Sequence, residues 1–389
     1  MNNHNLYTGF EQNGRERELL RFLNIVFYRN PLAPFKQFLP KLYKNEYKPC
    51  GNNLVVRDGK RLRAAVGLYM LRFHAGGETL LAGGIGNVAV GRRHRGKGYM
   101  KQLMRMAAEE CAARDADFMA LSGLRQRYQY FGYERCGQTQ LYTVTKTNLR
   151  HVFRGRKDSC FNARKLRRDD EAGLRAIYDC HKKAALRCDR PSEPGPLWDT
   201  LRSWALAPYI IENEGVFAGY FLYSAWISRV EEFYLMDPAN YGDAVRAIFG
   251  ALGRGKLRFT VLPSEMEADA FFHLLCEQVE IKLPECFCVL NYERVLRALL
   301  NLQAKKAPLC DGELAIKING HAREETLRIR VCDNKISVAQ TQDTPVITLE
   351  HLEAERCFFA PVSDERRALP AFAAAWFPLP LAVPLCDMV

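Results

Sequence analysis

Residues 88–133 read VAVGRRHRGKGYMKQLMRMAAEECAARDADFMALSGLRQRYQYFGY, and their order decides the fold. Val88, Ala89 and Val90 close a short apolar run, a basic turn broken by Gly91, Gly96 and Gly98 follows, and a helical pattern begins at once. Met100, Leu103, Met104, Ala107 and Cys111 recur at three- and four-residue steps, giving that helix one apolar face. Its first-turn N–H groups have no partners within the helix, and the positive end of the helix dipole points outward there. A phosphate placed at the turn therefore meets backbone donors. Gly96 and Gly98 permit close approach and positive φ, while Arg92, Arg93, Arg95 and Lys97 supply charge for an anion.

Glycine turns before helices occur in several nucleotide-binding folds, so the spacing must discriminate. Arg93-His94-Arg95-Gly96-Lys97-Gly98 fits R/Q-x-x-G-x-G/A between a strand and a helix, and resembles the acetyl-CoA site of the GNAT acetyltransferases. Tyr128-Gln129-Tyr130-Phe131-Gly132-Tyr133 follows a second apolar run at 118–122, and is similar to the Y-x-x-F-G-Y segment of the Eis-type (enhanced intracellular survival) branch. The resemblance implies an α/β (α+β) chain: two tandem GNAT-like domains, the second degenerate, then a sterol-carrier-like domain. The corresponding limits are 1–147, 148–294 and 295–389. It also implies acetyl-CoA as cosubstrate, held by Val88, Ala89 and Val90 on the strand and by Arg93, Arg95, Gly96, Lys97, Gly98, Tyr99 and Met100 beyond it. The strands ending at Val90 and beginning at Phe118 would splay, with the pantetheine arm in the gap.

Composition narrows the partners. A chain of 389 residues exceeds one ordinary core and suits two or three domains. No run approaches the roughly 20 apolar residues needed to span a bilayer, and the N-terminus lacks a secretory pattern. Thirteen cysteines without regular spacing fit reduced thiols in the cytoplasm. The net charge of +12 raises nucleic acid as a partner. Outside 92–97, however, the basic residues form only small groups and no nucleic-acid-binding motif accompanies them. The expectation is a cytoplasmic enzyme with no membrane or nucleic-acid partner, and the resemblance implies a homo-oligomer, such as a hexamer.

Outward from the deciding stretch, 19–27 predicts a helix ended by Pro31 and Pro34, on the acceptor side of the cleft in the resembling fold. Phe22, Phe27 and Tyr28 are its candidate substrate contacts, with ordinary packing as the other reading. Strands at 53–57, 60–73 and 79–90 are separated by Asp58-Gly59 and Gly76-Gly77 turns. The alternating run 138–145 is expected to close the first unit. In the second unit, Asp169 and Asp170 start a helix, strands follow at 209–211, 215–226 and 229–235, and a helix at 241–252. The intervening MDPANYGD has two acids and no basic glycine turn, so a phosphate would find no donors there. The last unit alternates at 314–318, 326–331 and 335–339, and the tail FPLPLAVPLCDMV is too apolar to hang free.

The chemistry implied is acyl transfer to a primary amine. An alkylammonium with a pKa of about 10.4 is free base in only roughly one molecule in two thousand at neutral pH, so deprotonation must be assisted. The resemblance assigns the proton for the departing thiolate to Tyr128 and the base to the C-terminal carboxylate, here on Val389; Asp387 is the alternative anion and a candidate substrate contact. Arg125 and Arg127 would disfavour a polycationic acceptor if they face the site. Cys286-Phe287-Cys288 has no companion His or Cys pair at zinc spacing, and no metal is expected. The alternative is a binding protein that senses acetyl-CoA or holds a small ligand or lipid in an apolar cavity under the last sheet.

Overall fold

The computed structural model describes residues 6–30, 35–155 and 159–389. Gly59, Gly76 and Gly77 take φ of 56°, 63° and 96°, so both expected turns reverse the chain tightly. Asn53–Asp58, Arg61–Ala75 and Glu78–Val90 accordingly pair antiparallel, and Leu6–Phe10 adds an outer strand. The chain crosses through the helix Tyr99–Ala113 and returns as Phe118–Leu121, parallel to Glu78–Val90. Leu103, Met104, Ala107 and Cys111 are the buried face of that helix, as their spacing predicts. The helix Glu16–Tyr28 covers the opposite face of the sheet through Leu19 and Leu23. Pro31 and Pro34, expected to end it, lie outside the described residues.

The closing strand is a correction. Thr139–Thr145 forms, but it pairs with Lys256–Val261 and Val279–Lys282 in a second, seven-stranded sheet. Cys286–Val289 takes the place expected for it, between Phe118–Leu121 and Glu134–Arg135 in the first sheet. The first two units thus exchange their last strands. Alternation fixes which residues of a strand face the core, whereas the partner strand depends on contacts distant in sequence. The unbroken apolar run Cys286, Phe287, Cys288, Val289 is wholly buried, as suits a strand covered on both faces.

The second sheet repeats the plan of the first. Arg229–Leu235, the helix Tyr241–Leu252 and Lys256–Val261 form a strand, helix and parallel strand. At the start of that helix Asp237 accepts from the Ala239 N–H at 2.9 Å, and Asp243 lies in the first turn. Two acids thus stand where the first unit gathers arginines. In the last unit Gly312–Asn319, Glu324–Cys332, Lys335–Gln340 and Ile347–Glu350 form a four-stranded sheet under the helix Tyr292–Lys306. Leu314, Ile316, Ile318, Ile329 and Val338 pack there against Leu296, Leu299 and Leu300. These side chains fill the layer where the binding-protein alternative would need a cavity. The tail then runs back to the first sheet and is buried to its end. Among the described residues no helix is long and apolar enough to cross a membrane.

Candidate active site

A gap opens where pairing ends. Glu78–Val90 and Phe118–Leu121 pair through Ala82 with Phe118, Gly83 with Met119 and Gly84 with Ala120, and the register stops there. On the other edge, the register with Arg61–Ala75 slips between Ala65 and Gly67, where Asn87 takes a φ of 38°. Such a bulge bends the strand and increases its twist. Asn87 is fixed in it, accepting from the Tyr43 hydroxyl and donating to Asn53 Oδ1 at 2.9 Å. The result is a cavity of about 410 Å³, with Val88 on one wall, Ser122 and Tyr128 on the other and Val389 within it.

Tyr128 ends the short helix Arg125–Tyr128 and is 7% exposed. Its ring lies against Gly123, where any Cβ would overlap it. On another side it meets Tyr133 edge to face at 6.4 Å. Tyr133 is itself buried, donating to Met119 Sδ at 3.4 Å, and Gly132 before it takes a φ of 84°. Burial raises the Tyr128 pKa above the ordinary phenol value, partly offset by Arg127. The phenol therefore stays protonated at neutral pH.

The chain end reaches the same cavity, and two glycines make room for it. A Cβ on Gly84 would lie 2.7 Å from Val389 Cγ2, and one on Gly86 would lie 3.0 Å from the Val389 carbonyl carbon. Three side chains from distant segments hold the last residues. Lys41 donates to the Cys386 carbonyl, and Trp204 Nε1 donates to the Met388 carbonyl at 3.1 Å. Arg190 donates through Nε and Nη2 to Asp387 at 2.9 and 2.8 Å, and through Nη1 and Nη2 to Glu232 at 2.8 and 2.7 Å. Burial alone would raise the Glu232 carboxyl, but Arg190 outweighs it and holds the group below its ordinary value. Trp204 and Ala205 have φ of 62° and 56°, a costly conformation for such residues that sets the indole against the chain end.

The basic turn leaves its donors open. Arg92–His94 make a single 3₁₀ turn, Gly96 and Gly98 have φ of 79° and 80°, and no side chain caps the helix that follows. Arg92, Arg93, Arg95 and Lys97 are exposed around it. Tyr99 and Met100 pack against the core, so they offer backbone N–H groups rather than side chains. His94 is bonded to Arg63 at 3.0 Å, and burial followed by Arg63 lowers its pKa. It is neutral at pH 7 and part of the turn.

Of the predicted contacts, Val88, Phe27, Tyr28, Tyr128 and Val389 line the cavity. Val90 packs toward the helix Tyr99–Ala113, and the Ala89 side chain lies in the core beneath Glu16–Tyr28. For these two only the backbone can serve the gap. Phe22 packs in that same core, close to Gly91, and does not line the cavity. Asp387 lies beyond the chain end, on a separate cavity of about 270 Å³ that also includes Lys41 and Val389. Its carboxylate is committed to Arg190. Sequence reading missed Phe35, Phe38 and Trp204 in the aromatic wall, the Gly84 and Gly86 floor and the Arg190 anchor. The run Ala-Gly-Gly-Ile-Gly at 82–86, unusual inside a strand, is the signal that something approaches there. Folding does bring histidines to Cys288 that no sequence spacing announces: His351 Nε2 lies 3.6 Å from its sulfur and His321 is near. The His351 ring is occupied, with Nε2 2.8 Å from the Gly132 carbonyl oxygen and Nδ1 3.1 Å from the Tyr292 hydroxyl.

This geometry, an uncapped helix start beside a splayed parallel strand pair, defines a class. Residues 12–136 match the family model of the acetyltransferase (GNAT) domain. No curated protein sequence matches the chain. Among solved structures the chain is similar over nearly its full length to a GCN5-related N-acetyltransferase from Kribbella flavida, with TM-score 0.67, 17% identity and coverage of 99% of this chain and 98% of that one. Eis1 from Mycobacterium abscessus gives TM-score 0.66 at 16% identity, with 96% of each chain covered. A probable N-acyltransferase from Enterococcus faecalis gives 0.64 at 15%, covering 91% of this chain and 90% of the other. At these identities the likeness is one of fold, and it spans all three units.

Proposed function

We propose that the protein transfers acetyl from acetyl-CoA directly to a primary amine. The observation that carries this reading is the meeting of Tyr128 and Val389 in one cavity at the free edge of Glu78–Val90. The basic turn and the N–H groups of Tyr99 and Met100 would hold the pyrophosphate, and Val88 to Val90 would offer backbone partners to the pantetheine arm. Acetyl-CoA supplies an acyl group activated as a thioester. The Val389 carboxylate draws a proton from the bound ammonium, and the free amine attacks the carbonyl carbon. The C–N bond forms, the C–S bond breaks, the leaving thiolate takes a proton from Tyr128, and the acylated nitrogen gives up its remaining extra proton, which restores the phenol. An ordinary phenol, near 10, is already a weaker acid than a thiol near 8.5, and burial raises Tyr128 further, so it can serve only when held beside the sulfur. The packing of Tyr128 on Gly123 and Tyr133 supplies that constraint. The proposal extends to a cytoplasmic homo-oligomer with domains at 1–147, 148–294 and 295–389, the last sterol-carrier-like.

Calorimetry with acetyl-CoA and chromatography of released CoA test the reading. Tyr128→Phe should bind acetyl-CoA as wild type does and lose roughly 100-fold in turnover. A chain shortened by residues 387–389 should behave alike. Wild-type turnover in either variant removes that group from the mechanism, and no acetyl-CoA binding by the wild type sinks the proposal.

A further inference from the structure

The wall facing the splayed strands is aromatic. Phe27, Tyr28, Phe35, Phe38 and Trp204 line it. Phe27 and Phe35 stack at 5.5 Å, and Phe38 meets Trp204 edge to face at 5.2 Å. Among the described lining residues the only ones that bring an acidic or basic group of ordinary charge are Arg127 and Val389, the latter through its C-terminal carboxylate. Acids near the chain end are already committed. Asp387 is bound by Arg190, and Asp199 accepts from Lys44 and from the Tyr47 hydroxyl. Arg125 is paired with Glu134 at 2.9 Å, so Arg127 is the arginine that faces the cavity.

From this charge pattern we infer that the acceptor is a singly charged amine carrying an aromatic body, an arylalkylamine, and not a polyamine or another polycation. The inference rests on the transferase reading above. One carboxylate can neutralise one ammonium. A second ammonium entering the cavity would meet rings and a guanidinium. The rings return only part of its lost hydration by cation–π attraction. Desolvating an ammonium without an anion costs more than that, and Arg127 adds repulsion. A neutral aryl group incurs no such penalty and gains from every apolar surface it buries. Each 1.4 kcal/mol of this difference is about tenfold in selectivity.

The test uses the full chain, acetyl-CoA and two acceptors, 2-phenylethylamine and spermidine, with CoA release read by chromatography and acetyl-CoA binding by calorimetry. The expected result is a kcat/KM at least about tenfold higher for 2-phenylethylamine. In Tyr28→Glu, which places a carboxylate on the half-exposed rim of the same wall, that ratio should move toward spermidine. Phe38→Ala should raise KM for 2-phenylethylamine while the acetyl-CoA Kd stays put. Spermidine preferred, or the two amines within about tenfold, overturns the acceptor class and leaves the transferase reading standing. Acetyl-CoA bound but neither amine acetylated also overturns the acceptor class, whereas no acetyl-CoA binding overturns the transferase reading on which it rests.

Discussion

Tyr128 shows how one absent methyl can hold a side chain in place. Its ring occupies the space that a Cβ on Gly123 would need. Gly123→Ala must therefore shift the phenol, and under the proposed mechanism this takes the proton donor away from the sulfur although its chemistry is unchanged. Turnover should fall toward that of Tyr128→Phe, with the acetyl-CoA Kd within a few fold of wild type. Unchanged turnover would mean that the ring has a second productive position. Glu285 is a residue-scale prediction of another kind. It is 5% exposed, Oε2 has no hydrogen-bond partner, and burial pushes its carboxyl up to about 8, with Arg135 opposing and Glu231 reinforcing. In the unfolded chain a glutamate has a pKa of about 4.3. The native state therefore holds a proton that the unfolded state has released. Its contribution is full below the unfolded value and is lost as pH rises through about 8. Glu285→Gln keeps a neutral side chain and escapes this loss. Between about pH 5 and about pH 9 the wild-type Tm should fall by several degrees more than that of Glu285→Gln. Parallel curves would refute a neutral Glu285.

The strand Glu78–Val90 is the element on which the site depends, and its two edges have different tasks. One is pinned by Arg61–Ala75 with a bulge at Asn87, and the other is free beyond Gly84. Its floor is Gly84 and Gly86, which point to the same side at a two-residue interval and admit the chain end. Gly86→Val would put a branched side chain where the terminal carboxylate group rests. Overpacking of this kind costs typically 1 to 3 kcal/mol, and the cheaper response is for the chain end to leave. Turnover should then fall as in the chain lacking 387–389, with Tm lowered by only a few degrees. An intact rate would show that the carboxylate acts from elsewhere. Most of this element was legible in the sequence, because turns, helix periodicity and the glycine spacing at 93–98 are local patterns. The strand exchange was not, since 138–145 has an alternation that either sheet could accept. Neither were Trp204 and Arg190, which become neighbours of the chain end only after folding. Phe22 illustrates the converse, an aromatic at the expected place whose helical face points into the core.

At the scale of the whole molecule, the last residues tie the three units together. The tail leaves the third unit, passes the second at Glu232 through Arg190 and Asp387, and ends in the first. On the proposed mechanism Arg190 is thereby a positioning residue for a carboxylate it does not touch. Its side chain is 1% exposed and charged, and it neutralises two buried acids that have few other cations at hand. Removing one partner of a buried ion pair costs about 3 to 5 kcal/mol, mostly because the other is left uncompensated. Arg190→Met should accordingly lower Tm sharply and abolish turnover together, which by itself does not separate anchoring from stability. The triple variant Arg190→Met, Glu232→Gln, Asp387→Asn does separate them. It removes all three charges of the Arg190, Glu232 and Asp387 cluster, so much of the lost Tm should return, because replacing a whole ion cluster is far less costly than breaking it. Turnover should stay low, since Lys41 and Trp204 alone then hold the chain end. Acetyl-CoA binding should be normal throughout, because the basic turn lies on a separate part of the first unit. If the triple variant recovered turnover along with Tm, Arg190 would be a matter of stability only, and the anchoring role would pass to the two backbone contacts.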